Sequence, residues 1–206
     1  MTTRIRLATE SDAEQILAIY APFVRDTAVT FEITIPTVEE FAERVSTVLQ
    51  RAPWLVCEDT GHVLGYAYAT HHREREAYRW CVESSVYIHA KHRRNGVGRA
   101  LYNALFDCLR LQGYYTIYAG IALPNPASIS LHEGMGFEPV GVYRASGYKL
   151  GRWHDAGWWQ LALRAYDAPP SPPLLLGEVV DTEGGREALK RASNLLTSSP
   201  KNAAPH

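Results

Sequence analysis

Between an alternating strand pattern and a helical one, the chain carries Arg93, Arg94, Asn95, Gly96, Val97, Gly98 and Arg99. Two glycines at this spacing let consecutive backbone N–H groups turn toward one anion, and the dipole of the following helix adds to the pull. Arg94 and Arg99 can add charge-assisted contacts; either can also be a solvated side chain, and the glycines can be a plain tight start to a helix. Neither a GxxxxGK motif nor a GxGxxG after a first strand occurs, so the loop suits a pyrophosphate outside the P-loop and dinucleotide-binding classes. Ten residues before this loop, Glu83 sits in a β-type run beside Val82 and Ser84. A carboxylate there is costly without a partner, so it is either paired, for instance with an arginine, or kept for chemistry. His132, on a short helical segment, is either an ordinary polar or core side chain or a proton carrier.

Several elements must hold these residues. Arg4 to Leu7 reads as a strand, followed by a helix opened by Ser11 and Glu14 in capping-box spacing. Thr37 and Glu40 repeat that signature before a second helix that Pro53 ends. Residues 54–58 and 63–69 form a hairpin about Asp59 to His62, and Val82 to Ile88 forms the strand with Glu83. Leu101, Leu105, Cys108, Leu109 and Gln112 mark a long amphipathic helix closed by Gly113. Tyr115 to Ile121 is a further strand, Ala127 to Glu133 a short helix, and residues 140–145 and 158–163 two last strands. The order is mixed α/β.

The 206 residues, 46% hydrophobic and 21% charged, allow one domain with a real core. A net charge of -1 removes the general attraction to nucleic acid. No apolar run is long enough to span a membrane and no leader-type segment opens the chain, so a cytoplasmic protein is expected. Cys57, Cys81 and Cys108 show neither disulfide nor zinc spacing; they read as reduced core residues, and no metal is expected. After Tyr166 the composition turns proline-rich, which places the domain at 1–166 and a flexible tail at 167–206. Glu183 to Leu196 can form a helix there, but one too short to be stable unless docked.

Arg93, Gly96 and Gly98 resemble the anion loop of the GNAT acetyltransferase superfamily, which reads Gln or Arg, then Gly, then Gly or Ala at this spacing. Asn125, Ser128, Leu131, His132, Gly136 and Phe137 resemble the superfamily's second block, in the right order. Within the superfamily, Ala77, Tyr78, Trp80, Glu83, Ser84 and Tyr87, with Gly147 to Gln160, are similar to phosphinothricin N-acetyltransferases, whose close relatives favour methionine sulfoximine or sulfone. The similarity runs from about Arg4 to about Leu163 and leaves out the tail.

The resemblance implies the GNAT acyl-CoA N-acyltransferase fold: a mixed, mostly antiparallel central sheet with splayed central strands, flanked by helices. Acetyl-CoA would be the cosubstrate, its pantetheine paired against the strand edge at Val86, Tyr87 and Ile88. Its pyrophosphate would sit on the loop from Arg93 to Arg99, and Asn125 and Ser128 would hold the pantetheine arm, although Asn125 also reads as a turn residue. Glu83 would be the general base, and a backbone N–H within 86–88 would polarise the thioester oxygen. His132 stands where many relatives carry a tyrosine acid and would protonate the leaving thiolate or orient the substrate. Phe31, Arg73, Arg75, Tyr78, Val82 and Ser84 would contact a small amino-acid substrate, the arginines meeting its anionic groups. Phe31 can equally be a core or surface residue, and the arginines belong to a charge run of the kind that is usually solvated. Acetyl would pass directly to the α-amino group, and related enzymes imply a homodimer with no nucleic-acid or membrane partner. The competing readings are a protein N-terminal or polyamine acetyltransferase, and a non-catalytic acetyl-CoA sensor.

Overall fold

The computed structural model describes residues 3–166 and 169–197. Seven strands form one sheet in the order β1-β2-β3-β4-β5-β7-β6. They are β1 (Arg4–Leu7), β2 (Trp54–Asp59), β3 (His62–His71), β4 (Cys81–Ile88), β5 (Thr116–Ala122), β6 (Glu138–Lys149) and β7 (Arg152–Ala162). Only β4 and β5 run parallel; every other neighbouring pair is antiparallel.

Alternation along the central strands assigns the two faces. Trp54 and Val56 of β2 face α1 (Ala13–Asp26) and α2 (Val38–Leu49), whereas Leu55 and Cys57 face α3 (Val97–Gln112). All four side chains are buried, because a sheet covered on both faces needs apolar residues at both parities. On the α1/α2 side Trp54 stacks on Tyr68 at 4.1 Å and Tyr66 on Tyr87 at 5.4 Å. A short α4 (Pro126–Glu133) follows β5.

The caps are partly where the sequence puts them. Thr37 and Glu40 form the expected reciprocal box at the start of α2, at 3.2 and 2.8 Å. The first helix is different: a 3-10 turn, Glu10–Asp12, precedes it, and Asp12 rather than Ser11 organises the start by accepting from the Thr9 N–H at 2.8 Å. Asp12 wins because both its oxygens also accept from Arg6, at 2.7 and 2.8 Å, a bidentate pair unavailable to a serine. The two expected last strands are longer than predicted and join as one hairpin through Lys149 and Arg152, since Gly147, Tyr148 and Trp153 extend the ladder.

Much of the expected tail packs against the domain. Leu174 and Gln112 exchange hydrogen bonds at 2.8 and 2.9 Å, and the Trp80 indole donates to the Ser171 carbonyl at 2.8 Å. Beyond α5 (Leu176–Val179), α6 (Glu183–Thr197) lies on α3 and β1, with Ala188 and Ala192 buried and the Ser193 hydroxyl accepting from the Ile5 N–H at 2.8 Å. A helix that is marginal in isolation is held once its apolar stripe finds a neighbour, and Leu189 and Leu196 supply that stripe. Residues 167–168 and 198–206 of the expected tail lie outside the described residues.

Candidate active site

The parallel β4–β5 ladder has three rungs: Cys81 with Thr116, Val82 with Ile117, and Glu83 with Tyr118. Beyond Glu83 the strands no longer pair, although β4 continues to Ile88 and β5 to Ala122. This is the expected splay. It leaves the β5-facing backbone groups of Ser84 to Ile88 without a strand partner, an edge that an extended amide-bearing ligand can complete.

A cleft of about 670 Å³ opens at that edge. Val86, Tyr87, Ile88, Arg93, Arg94, Gly96, Val97, Gly98, Arg99, Asn125 and Ser128 all line it. Asn95 lies within the same loop, between two residues of left-handed backbone, Arg94 at φ 64° and Gly96 at φ 80°. Gly96 is also the residue at which α3 begins, so the first helical N–H groups open into the cleft, and no side chain of the described residues closes over Gly96. Arg93 is held by the face of Phe23, 5.4 Å from its ring centre. The Asn125 carbonyl oxygen caps α4 by accepting from the Ser128 N–H at 3.2 Å, which leaves its amide NH₂ for another partner. The chemistry of this lining fits acetyl-CoA: N–H donors and guanidinium groups for the pyrophosphate, and a free strand edge for the pantetheine amides.

Glu83 shares its sheet face with Tyr68, Thr70, Ser85 and Tyr87, by alternation and register. Its Oε1 lies 2.8 Å from Nδ1 of His72, so the partner is a histidine rather than an arginine. His72 stacks on Tyr118 at 4.3 Å and meets the edges of Tyr78 at 5.8 Å and Trp158 at 6.2 Å. The structure thus brings Tyr78 to the histidine that holds the carboxylate. It leaves Arg73 and Arg75 exposed in the β3–β4 connection, with no ion-pair partner among the described residues.

Val82 and Ser84 are placed differently from the expectation for their side chains. Alternation turns both to the α3 side, where Val82 joins the core and the Ser84 hydroxyl lies 3.5 Å from that of Tyr102. Only their backbone can serve a ligand on the Glu83 face. Phe31 packs on the β6–β7 hairpin: a Cβ built on Gly147 would lie 2.6 Å from its ring, so the ring's position depends on that glycine. Lys149 is buried and donates from Nζ to the Thr30 carbonyl at 2.8 Å, tying the same loop to the same hairpin. Burial lowers its pKa.

His132 is buried beside α3. Its Nδ1 lies 2.7 Å from the Ser128 carbonyl, which can only accept, so Nδ1 carries the proton and Nε2 accepts from the Tyr102 hydroxyl at 2.8 Å. Burial pushes its pKa down, which keeps this neutral form. Both ring nitrogens are thereby engaged, an arrangement that offers no free proton to a thiolate.

His72, Tyr102, Tyr118, Lys149 and Gly147 enter the site without having been singled out for these contacts. His72 and Glu83 are diagonal neighbours across β3–β4, since Thr70 stands opposite Glu83 and His72 two residues on. The only sequence signal was that offset, and the charge run around it obscured it.

A sheet parted at its middle strands, with a carboxylate at the fork and an anion loop beside the free edge, defines a transferase of the acyl-CoA-binding type. The acetyltransferase (GNAT) domain family matches residues 5–158. The chain belongs to that family and is an acetyl-CoA-dependent N-acetyltransferase. It is 40% identical to a phosphinothricin N-acetyltransferase of Streptomyces viridochromogenes, over 82% of this chain and 91% of that one. It is 37% identical to the L-methionine sulfoximine/L-methionine sulfone acetyltransferase of Salmonella typhimurium, over 80% and 97% of the two chains. A solved GNAT superfamily phosphinothricin acetyltransferase of Sinorhizobium meliloti, in complex with acetyl-CoA, superposes with a TM-score of 0.80 at 37% identity, covering 85% of this chain and 99% of that one.

Proposed function

We propose that the enzyme acetylates the α-amino group of a small amino acid of the phosphinothricin or methionine sulfoximine and sulfone type. The observation that carries this reading is the similarity to acetyltransferases of those substrates across about four-fifths of the chain. Acetyl-CoA supplies the activated acetyl group. In this reading Arg93 to Arg99 hold its pyrophosphate, the edge from Val86 to Ile88 and the amide of Asn125 hold its pantetheine, and a backbone N–H of 86–88 holds the thioester oxygen.

Glu83 then removes a proton from the substrate ammonium, freeing the nitrogen lone pair to attack the thioester carbon directly; as the C–N bond forms the C–S bond breaks, and CoA leaves as the thiolate, which takes up the second proton lost by the nitrogen. Arg73 and Arg75 meet the carboxylate and the phosphinate or sulfone oxygens, while Tyr78 and Phe31 wall the pocket. No cysteine is poised for a covalent route: burial pushes the Cys57 and Cys108 thiols up to about 12 and raises that of Cys81. We assign His132 an orienting role, holding Ser128 and Tyr102 in place.

The test is thiol release from acetyl-CoA with phosphinothricin, methionine sulfoximine, methionine sulfone, lysine and spermidine, with the products followed by mass. Turnover confined to the first three is expected; turnover of spermidine alone, or of none while acetyl-CoA binds, would sink the proposal. Glu83→Gln is expected to lower kcat by about 100-fold or more, the range of a positioned base.

The proposal extends to a homodimer in the cytoplasm. Val140, Val142 and Tyr143 on edge strand β6 and Tyr148, Leu150 and Trp153 at its hairpin are exposed, a patch of the kind that second copies cover. Sedimentation equilibrium checks it, with a dimer expected for the wild type and a monomer for Val142→Glu. Three free cysteines suit a reducing compartment. No helix among the described residues is long and apolar enough to cross a membrane, and no group of three metal-type ligands occurs among them.

A further inference from the structure

Glu83 has one polar partner for its carboxylate among the described residues, and that partner is His72. The contact joins Nδ1 to Oε1 at 2.8 Å. A carboxylate accepts and does not donate, so the Nδ1 position carries the proton and points it at Glu83. The imidazole is confined by its neighbours: its side chain is 10% exposed, against 34% for that of Glu83. The Tyr118 ring lies under it at 4.3 Å, and Tyr78 and Trp158 meet it edge-on. Three separate segments therefore hold it, the turn before β4, strand β5 and strand β7, on either side of the fork in the sheet.

We propose that His72 is the positioning residue of Glu83. Resting on the reading of Glu83 as the base, it fixes one carboxylate oxygen and leaves Oε2 to take the ammonium proton. The step balances: an N–H bond of the substrate breaks, an O–H bond forms on Glu83, and the electron pair stays on nitrogen. His72 keeps its own proton throughout. The titratable groups facing the pair are Tyr68 of β3, Tyr78 of the turn and Tyr118 of β5. None of them gives Glu83 a second ionic partner. Because His72 touches Tyr118, the residue paired with Glu83 across the last rung, it also couples the carboxylate to the width of the fork.

The experiment uses whichever acceptor is turned over fastest and compares wild type, His72→Phe and His72→Asn. Phenylalanine keeps a ring against Tyr118 but removes the donor; asparagine restores an N–H near the Nδ1 position. His72→Phe is expected to lower kcat/KM for the amine by about tenfold or more, a part of the range for a positioned base. The loss should fall on kcat and on KM for the amine, the steps that need an oriented carboxylate. KM for acetyl-CoA should hold, and His72→Asn should recover most of the rate. In a Glu83→Gln background, His72→Phe should have no further effect.

A wild-type rate in His72→Phe would overturn the assignment. So would equal impairment of both variants, which marks packing alone. Full activity of Glu83→Gln overturns the base reading and the role of His72 with it. An inactive Glu83→Gln beside an unaffected His72→Phe overturns only the role of His72.

Discussion

Tyr102 shows how one side chain can join three elements without touching a substrate. From α3 its hydroxyl donates to His132 of α4 at 2.8 Å and stands 3.5 Å from the hydroxyl of Ser84 on β4, the strand that carries Glu83. The site is buried, so the Tyr102→Phe variant leaves Nε2 of His132 without a donor and without water. A loss of about 1–3 kcal/mol in urea unfolding is expected, the price of an unsatisfied buried acceptor. An unchanged midpoint would show that the pair is not a support. Glu83 was legible as the candidate base because its strand and its family pattern agree. The partner of Glu83 was not, because nothing in a charge run says which of its members a neighbouring strand will meet.

At the scale of elements, the start of α3 depends on a conformation more than on a contact. Gly96 has φ 80° with open space around its Cα, so an added methyl group meets strain rather than a neighbour. Gly96→Ala should lose about 1–2 kcal/mol. It should also raise KM for acetyl-CoA, because the N–H groups proposed to meet the pyrophosphate would turn away; thermal unfolding and kinetics measure the two effects separately. The first helix is fastened by charge instead. Burial works to raise the pKa of Asp12, but the hydrogen bonds from Arg6 and Thr9 outweigh it and hold it below the usual value, and Arg6 lowers that of Glu58 as well. A lowered carboxylate pKa means stability that is present above the unfolded value and lost as pH falls through the folded one. The part of the unfolding free energy owed to this network should therefore be constant down to about pH 4, near the ordinary carboxylate value, and fall below it; it adds to the loss that begins below 6.5, where His132 protonates in the unfolded chain before the folded one. Asp12→Asn should be less stable at neutral pH and decline less steeply in acid; parallel curves for the two proteins would rule the network out as the cause. The caps at Thr37 and Gly113 could be read from residue types alone, since each is a local arrangement. The cap at Asp12 could not, because it is decided by Arg6 on the preceding strand.

At the scale of the whole molecule, residues 169–197 pack against the rest of the chain. They bond Trp80 at the foot of β4, Gln112 at the end of α3 and Ile5 on β1, and Arg191 pairs with Asp107 at 3.0 Å. A chain ending at Tyr166 would uncover the side of α3 that meets Ala188 and Ala192. Its Tm should fall by about 5 °C or more, the shift expected for a loss of a kcal/mol or two in a domain of this size. Acetyl-CoA binding should survive if the fork and the loop hold without it. An unchanged Tm would mean that the segment rests on the surface without supporting it.

Read alone, the sequence determined those features whose causes lie within a few residues or in a run of alternating side chains. These are the helices and their local caps, the hairpin, the glycine loop ahead of a helix, and the order of motifs that marks the family. Tertiary structure decided the rest, because those features depend on residues far apart in the chain. Register alone put His72 beside Glu83, and alternation alone turned Val82 and Ser84 away from it. The fork in the sheet exists because β5, separated from β4 by the whole of α3, pairs for three rungs and then parts. Residues 169–197 of the tail pack because α3 offers a surface that no local signal in the tail could announce.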